Sequence, residues 1–189
     1  MLLKEKLYDE DFLLRYTNAA QLIRDDGKAL KDKEGHYLAW DENSNLPIPL
    51  PEAGKSNGTT LGLGTTFDVL VDSGTVRCKT AFQLLSEEVE KYTPEMTEFP
   101  EKTVEIARNL GNHSPSVILF PGYTSERYPN EFQMRRAYSI VNLLLGNFDK
   151  PGEFYFGKHQ FDLGDGWPEP PEVPEYRTTW SLFLGLMEI

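Results

Sequence analysis

The residue types best suited to chemistry cluster in the run Phe120-Pro121-Gly122-Tyr123-Thr124-Ser125-Glu126-Arg127-Tyr128-Pro129-Asn130. Gly122 lets a backbone approach a ligand closely. Thr124 and Ser125 supply hydroxyls, and Arg127 supplies a planar guanidinium fork that matches phosphate or carboxylate. A helix starting near Asn130 would add free N–H groups and the positive end of its dipole. The sum is a donor-rich bend facing an anion. The plain alternative is that Arg127 pairs with Glu126 or Glu131 on the surface.

Other reactive residue types are less well placed. Gly54-Lys55-Ser56 lacks the upstream glycine of a phosphate loop, because Pro49 stands there and no helical pattern follows. Gly62-Leu63-Gly64 leads into Thr65-Thr66-Phe67 and lacks the dinucleotide fingerprint, so it reads as an approach to a strand. The single cysteine, Cys78, lies between Arg77 and Lys79, which would favour a thiolate. No histidine lies near it in sequence to act as base, and packing is the better reading. His36, His113 and His159 are far apart and form no HExxH-like pattern. One cysteine also excludes an internal disulfide and an iron–sulfur site within this chain. No catalytic residue and no metal ligand are assigned.

The elements that would position the bend are readable. Ser116 to Phe120 is a continuous apolar run of strand length, expected as a strand buried on both faces of a parallel sheet. Ligands of open α/β sheets sit outside the carboxyl ends of such strands. A long helix is expected from about Asn130 to Leu145, ended by Gly146-Asn147. Arg135 and Arg136 on it are expected to be solvated or paired. Upstream, Asp9 is the expected N-cap of a helix carrying Phe12, Leu13 and Tyr16. A second short helix is expected over Ala19–Arg24, stopping at Asp25-Asp26-Gly27. Tyr37–Trp40 reads as a strand, residues 41–65 as a long irregular Pro/Gly-rich connection, and Thr66–Cys78 as a hairpin turning at Asp72–Thr75. Thr80 should cap a helix lined by Phe82, Leu85, Val89 and Tyr92. Pro94 and Pro100 read as stops. A further helix is expected over Glu101–Leu110, with Gly111 as its C-terminal stop. From Phe161 the chain turns Pro- and Gly-rich, yet Trp180–Met187 is strongly apolar and calls for a covering surface.

Composition narrows the classes. In 189 residues, 30 acidic side chains outweigh 19 basic ones, for a formal charge of −11. That argues against nucleic acid or an anionic membrane as a partner, both of which need a basic face. Aromatics at 12% argue against disorder. No apolar run approaches the ~20 residues of a membrane span, so direct membrane insertion is not expected. Residues 1–20 lack the apolar core of a signal peptide, being broken at Lys4-Glu5-Lys6. The expected class is α/β, with parallel, Rossmann-like layers and helices, an irregular connection and a C-terminal tail.

The stretch from Val117 to Phe156, VILFPGYTSERYPNEFQMRRAYSIVNLLLGNFDKPGEFYF, resembles a segment typical of molybdopterin oxidoreductases. The shared pattern is a strand, a Gly-containing loop with Tyr and Asn, a helix ending Leu-Leu-Gly-Asn, and a Pro-Gly turn. Leu7–Phe12, Arg15–Ala19, Lys79–Leu85 and Glu90–Glu95 are similar to the same enzymes, especially the polysulfide, thiosulfate, tetrathionate and arsenate reductase branch of the DMSO reductase superfamily. In order, these motifs cover about residues 7–158. The resemblance implies an internal piece of a larger catalytic subunit that binds molybdopterin guanine dinucleotide, with molybdenum or tungsten, and transforms a sulfur or arsenic oxyanion. It implies an end of a Rossmann-like insertion and its return over 1–78, an α/β lobe with the cofactor-facing unit over 79–158, and an extended tail over 159–189. It carries over Gly122, Tyr123, Thr124, Arg127 and Asn130 as cofactor- or substrate-funnel-facing residues. Implied partners are the remaining domains or subunits, including an iron–sulfur electron-transfer subunit, in anaerobic respiration. The chain departs from the family at Pro151-Gly152-Glu153, where Pro-Gly-Gly is usual, so Glu153 adds bulk and charge at that turn. A reading from another class is a non-catalytic α/β binding or assembly module that keeps the fold without the cofactor.

Overall fold

A computed structural model describes residues 1–55, 60–64, 66–71, 74–115, 117–119 and 129–148. The bend residues Gly122, Tyr123, Thr124 and Arg127, the turn at 151–153, His159 and the tail over 159–189 lie outside the described residues.

Helix α1 (Glu10–Tyr16) starts where Asp9 accepts the Phe12 N–H at 2.9 Å. That bond satisfies one of the helix's orphan donors and fixes the start. Phe12, Leu13 and Leu14 are buried. Thr17 ends the helix, its hydroxyl donating to Leu13 O at 2.6 Å. The expected second helix is replaced by a turn at Asn18–Ala20 and strand β1 (Leu22–Arg24). Its partner decides this: Leu22, Ile23 and Arg24 lie opposite Thr80, Lys79 and Cys78 of strand β5. The stop at Gly27 holds, with φ +80° and its N–H bonded to Arg24 O at 2.9 Å.

Strand β2 (Leu38–Asp41) pairs antiparallel with β3 (Leu46–Pro49). The connection over 41–65 is therefore less irregular than expected. Pro47 and Pro49 lack N–H donors and are tolerated because β3 is an edge strand. Strands β4 (Thr66–Val71) and β5 (Gly74–Thr80) form the expected hairpin, giving the order β1-β5-β4. Both sheets among the described residues are antiparallel, which corrects the expected parallel, Rossmann-like layering. The physical reason lies in the connections: two residues join β4 to β5, whereas a parallel pair needs a crossover of a dozen or more.

Thr80 caps helix α2 (Ala81–Glu90), accepting the Gln83 N–H at 3.1 Å while donating to Leu63 O. After a short 3-10 turn at Pro94–Met96 comes helix α3 (Pro100–His113), opened by a proline at its first position. Gly111 falls inside α3 and does not end it. A Cβ there would lie 2.6 Å from Leu7 Cβ, so this glycine permits close approach. Helix α4 (Glu131–Leu144) ends as expected at Gly146, with φ +66°. Gly146 N–H bonds to Leu143 O and Asn147 N–H to Asn142 O, the pair that defines a Schellman end.

One cluster of buried side chains joins Phe12, Leu13, Phe82, Leu85, Leu143, Leu144 and Phe148. A second, inside the sheets, joins Leu22, Leu30, Leu38, Val69 and Cys78. Among the described residues no helix is long and apolar enough to cross a membrane.

Candidate functional site

The backbone just before the donor-rich run is held by two asparagines, Asn142 in the last turn of α4 and Asn147 just past its end. Val117, Ile118 and Leu119 are half-buried and pair with no strand among the described residues. Asn142 takes the ladder's place: its Oδ1 accepts Leu119 N–H at 3.0 Å and its Nδ2 donates to Leu119 O at 2.7 Å. The second Nδ2 hydrogen goes to Tyr138 O at 3.0 Å. Asn147 Nδ2 donates to Val117 O and, at 3.2 Å, to Asn142 Oδ1. Ser114 Oγ donates to Leu145 O at 2.6 Å, closing the same corner. Asn142 and Asn147 are 3% and 0% exposed, where an unbonded amide would cost about 1–3 kcal/mol. Asn147 Oδ1 has no partner among the described residues.

Gly146 fits this corner doubly. Its φ is left-handed, and a Cβ would lie 2.7 Å from Asp9 Oδ2. Asp9 N–H in turn bonds to Leu144 O at 2.8 Å, so the start of α1 meets the end of α4.

Asn130 is the one carried-over residue within the described part. It stands exposed at the N-cap of α4 (φ −97°, ψ 13°), its side chain making no capping bond. Its backbone oxygen accepts Met134 N–H at 3.0 Å. Glu131 is engaged by Arg135, and Arg136 bonds Gln133 at 3.3 Å, as expected of paired surface cations.

The remaining candidates resolve into packing or surface. Cys78 is 0% exposed in the sheet core, and burial is the main cause that pushes its thiol above the usual range. It has the electrostatics of an inert thiol. Gly54 N–H bonds to Arg15 O at 2.8 Å, and Lys55 pairs with Glu52. At Gly62 a Cβ would lie 2.8 Å from the Phe67 ring, which stacks on Trp40 at 4.8 Å between centroids. Gly62 is thus packed against an aromatic side chain, whereas Gly64 is exposed with open space beside it. His113 lies in the last turn of α3 with Nδ1 2.8 Å from Asn109 O. His36 Nδ1 lies 2.9 Å from Asp32 Oδ2, and with Glu34 these form an exposed cluster.

Two grooves open among the described residues. One runs beside α3 past Glu95, Glu101, Glu105 and Arg108. The other lies between Tyr8, Glu10, Asp11, Glu42 and Leu63. Carboxylates outnumber cations on both rims, with Arg108 in the first and Lys6 in the second. Sequence reasoning overlooks the asparagine pair. Its one signal is a polar residue at 142 within the apolar run Val141–Leu145.

No family model matches the chain. A sulfite dehydrogenase subunit of Allochromatium vinosum is 30% identical over 218 residues, covering 92% of this chain and 22% of that protein. The alpha subunit of chlorate reductase from Ideonella dechloratans is 25% identical, covering 80% of the chain and 18% of its own length. The thiosulfate reductase molybdopterin-containing subunit PhsA of Salmonella typhimurium is 31% identical, covering 44% and 12%. The chain spans 22% or less of the length of these curated relatives.

Proposed function

Because the chain belongs to the molybdopterin oxidoreductase superfamily, we propose that it forms part of a catalytic subunit that transforms a sulfur or halogen oxyanion with molybdopterin guanine dinucleotide. The observation that carries this is the 30% identity to one relative over 92% of the chain. Sulfite, chlorate and thiosulfate, the oxyanions in the relatives' names, are all oxygen-bearing anions. Arsenic, which the sequence motifs set beside sulfur, has no counterpart in those names. When bound, the cofactor would supply a metal, molybdenum or tungsten, that changes oxidation state as an oxygen atom is gained or lost.

This chain's part is positioning. Gly122 would admit the ligand to the backbone. Tyr123, Thr124 and Asn130 would donate hydrogen bonds, and Arg127 would place a charged fork against an anionic group. The donor set fits a pterin diphosphate chemically, and an arginine facing a substrate oxyanion would stabilise charge that builds during transfer. Residues 1–78 would close an inserted domain, residues 79–158 would bring the bend to the cofactor, and residues 159–189 would lead onward. Partners would be the remaining domains of the same polypeptide and a separate electron-transfer protein, in keeping with relatives that are themselves named as subunits.

The test is metal and pterin content of the chain alone and of the polypeptide with its flanking domains. Stoichiometric cofactor in the larger form is expected, and none in either form overturns the proposal. In the loaded form, Arg127→Ala should lower kcat/KM about 10–100-fold, the value of a charge-assisted pair.

A second reading, the non-catalytic assembly module, is favoured by exposed apolar side chains at Tyr92, Met96 and Phe99. Ultracentrifugation discriminates: a monomer unaffected by deleting residues 161–189 counts against it.

A further inference from the structure

We propose that Asn142 and Asn147 are positioning residues that serve residues 117–119 as a surrogate neighbouring strand, and so set the direction in which the chain enters the bend at 120–130. The functional part of this inference rests on the reading above.

A neutral amide side chain has two donor hydrogens and an oxygen with two lone pairs. Asn142 uses all of them: Leu119 N–H and Asn147 Nδ2 on the oxygen, Leu119 O and Tyr138 O on the nitrogen. Exchanging both bonds with one residue is what a facing residue does in the hydrogen-bonded pair of an antiparallel ladder. Asn147 extends the mimicry. Val117 and Leu119 are two apart, so in an extended chain their carbonyls point to the same edge. Asn147 takes the first carbonyl and Asn142 the second.

The geometry is built. Asn142 sits in the last turn of α4, and the left-handed Gly146 turns the chain so that Asn147 comes back beside it. The bond to Tyr138 O ties the Asn142 amide to its own helix. Both side chains are buried where the surrounding run, Val141 and Leu143–Leu145, is apolar. Burying two amides there is unfavourable unless their bonds are made, and most of those bonds go to residues 117–119. These asparagines therefore read the backbone of one segment at two successive points on one edge.

The experiment is residue-resolved amide exchange on the 189-residue chain, followed by pterin retention in the larger polypeptide. In the unmodified chain the Leu119 amide should be protected. Asn142→Leu should speed its exchange about tenfold while the β4–β5 amides stay unchanged. Asn142→Asp keeps the acceptor but loses both donors, and serves if the leucine variant does not fold; it should give a smaller acceleration. An unprotected Leu119 amide in the unmodified chain, or protection indifferent to both variants, overturns the proposal.

In the larger polypeptide, Asn142→Leu should lower pterin retention. Combined with Arg127→Ala it should lower it no further than Arg127→Ala alone, because the asparagine acts through the bend. Additive losses, or unchanged retention, would reduce the pair to local packing and overturn the positioning role. If the unmodified larger polypeptide holds no pterin while Leu119 stays protected, the proposed function fails and the strand-like clamp stands.

Discussion

Residues 1–91 and residues 92–148 solve the problem of holding a chain in place by different means. In the first region the groups that supply stability also supply geometry. Main-chain ladders run across β1-β5-β4 and β2-β3, and Leu13, Leu22, Val69 and Cys78 are essentially without solvent contact. In the second, α3 buries no side chain, and Met96, Phe99, Ile106 and Phe132 are 54–69% exposed. Among this region's described residues, the buried ones all lie from Asn142 to Phe148, at the end of α4 and just past it, with Ile140 packed beside them. What fixes this region is directional: Asn142, Asn147 and Ser114 at one corner, Arg108 on Glu5 at another. Burial is roughly proportional to area and indifferent to direction, whereas an amide bond specifies an angle.

The largest expected effect tests the stability half of that contrast. Leu13→Ala, at a fully buried position of the main cluster, should cost about 3 kcal/mol in urea unfolding. Ile106→Ala on α3, 54% exposed, should fall within about 0.5 kcal/mol of the unmodified chain. Equal costs would break the contrast, since they would mean α3 is packed in solution as firmly as α1.

A smaller effect is expected where the regions join. Gly146 needs φ +66° and has no room for a Cβ beside Asp9. Gly146→Ala should cost about 1–3 kcal/mol, combining left-handed backbone strain with displacement of the Asp9 cap. If thermal melting shows no loss, the junction is plastic and the asparagine corner is not rigidly tied to α1.

How far the sequence foretells this depends on whether the cause is local. Asp9, Thr80 and Gly146 act on residues within a turn of themselves, and the helix ends they mark are where the sequence places them. Leu22–Arg24 reads as helix in sequence because its partner, Cys78–Thr80, lies far along the chain and propensity alone cannot see it. Val117–Leu119 shows the limit of an apolar run: it signals burial but says nothing about what takes the backbone bonds. Gly111 is ambiguous for the same reason, since a glycine serves equally as a stop or as clearance for Leu7. For the candidate site, Asn130 is legible as a helix start, while the reading of residues 120–128 rests on their chemistry alone and lies outside the described residues. The Asn142–Asn147 pair is not legible, because its partners are set by tertiary geometry.

The smallest effect concerns the tether between the regions. Arg108 Nη2 and Nε lie 2.8 and 3.0 Å from the two oxygens of Glu5. The Arg108 hydrogen bond is the main cause that holds the Glu5 carboxyl below the usual carboxylate range. A carboxyl lowered in the folded state contributes stability above its unfolded value and loses it as the pH falls through the lower, folded one. Acidification across the carboxylate range should therefore loosen α3 from the N-terminal segment before it touches the β4–β5 hairpin. Exposed pairs are screened, so raised salt should act in the same direction. Amide exchange along Val104–Asn112, expressed as protection relative to the intrinsic rate at each pH, reads this out: protection should fall in acid and in salt, and Glu5→Gln should remove both dependences. Exchange in α3 that ignores pH, salt and the substitution would show that packing holds the helix, and the two regions would then differ in degree only.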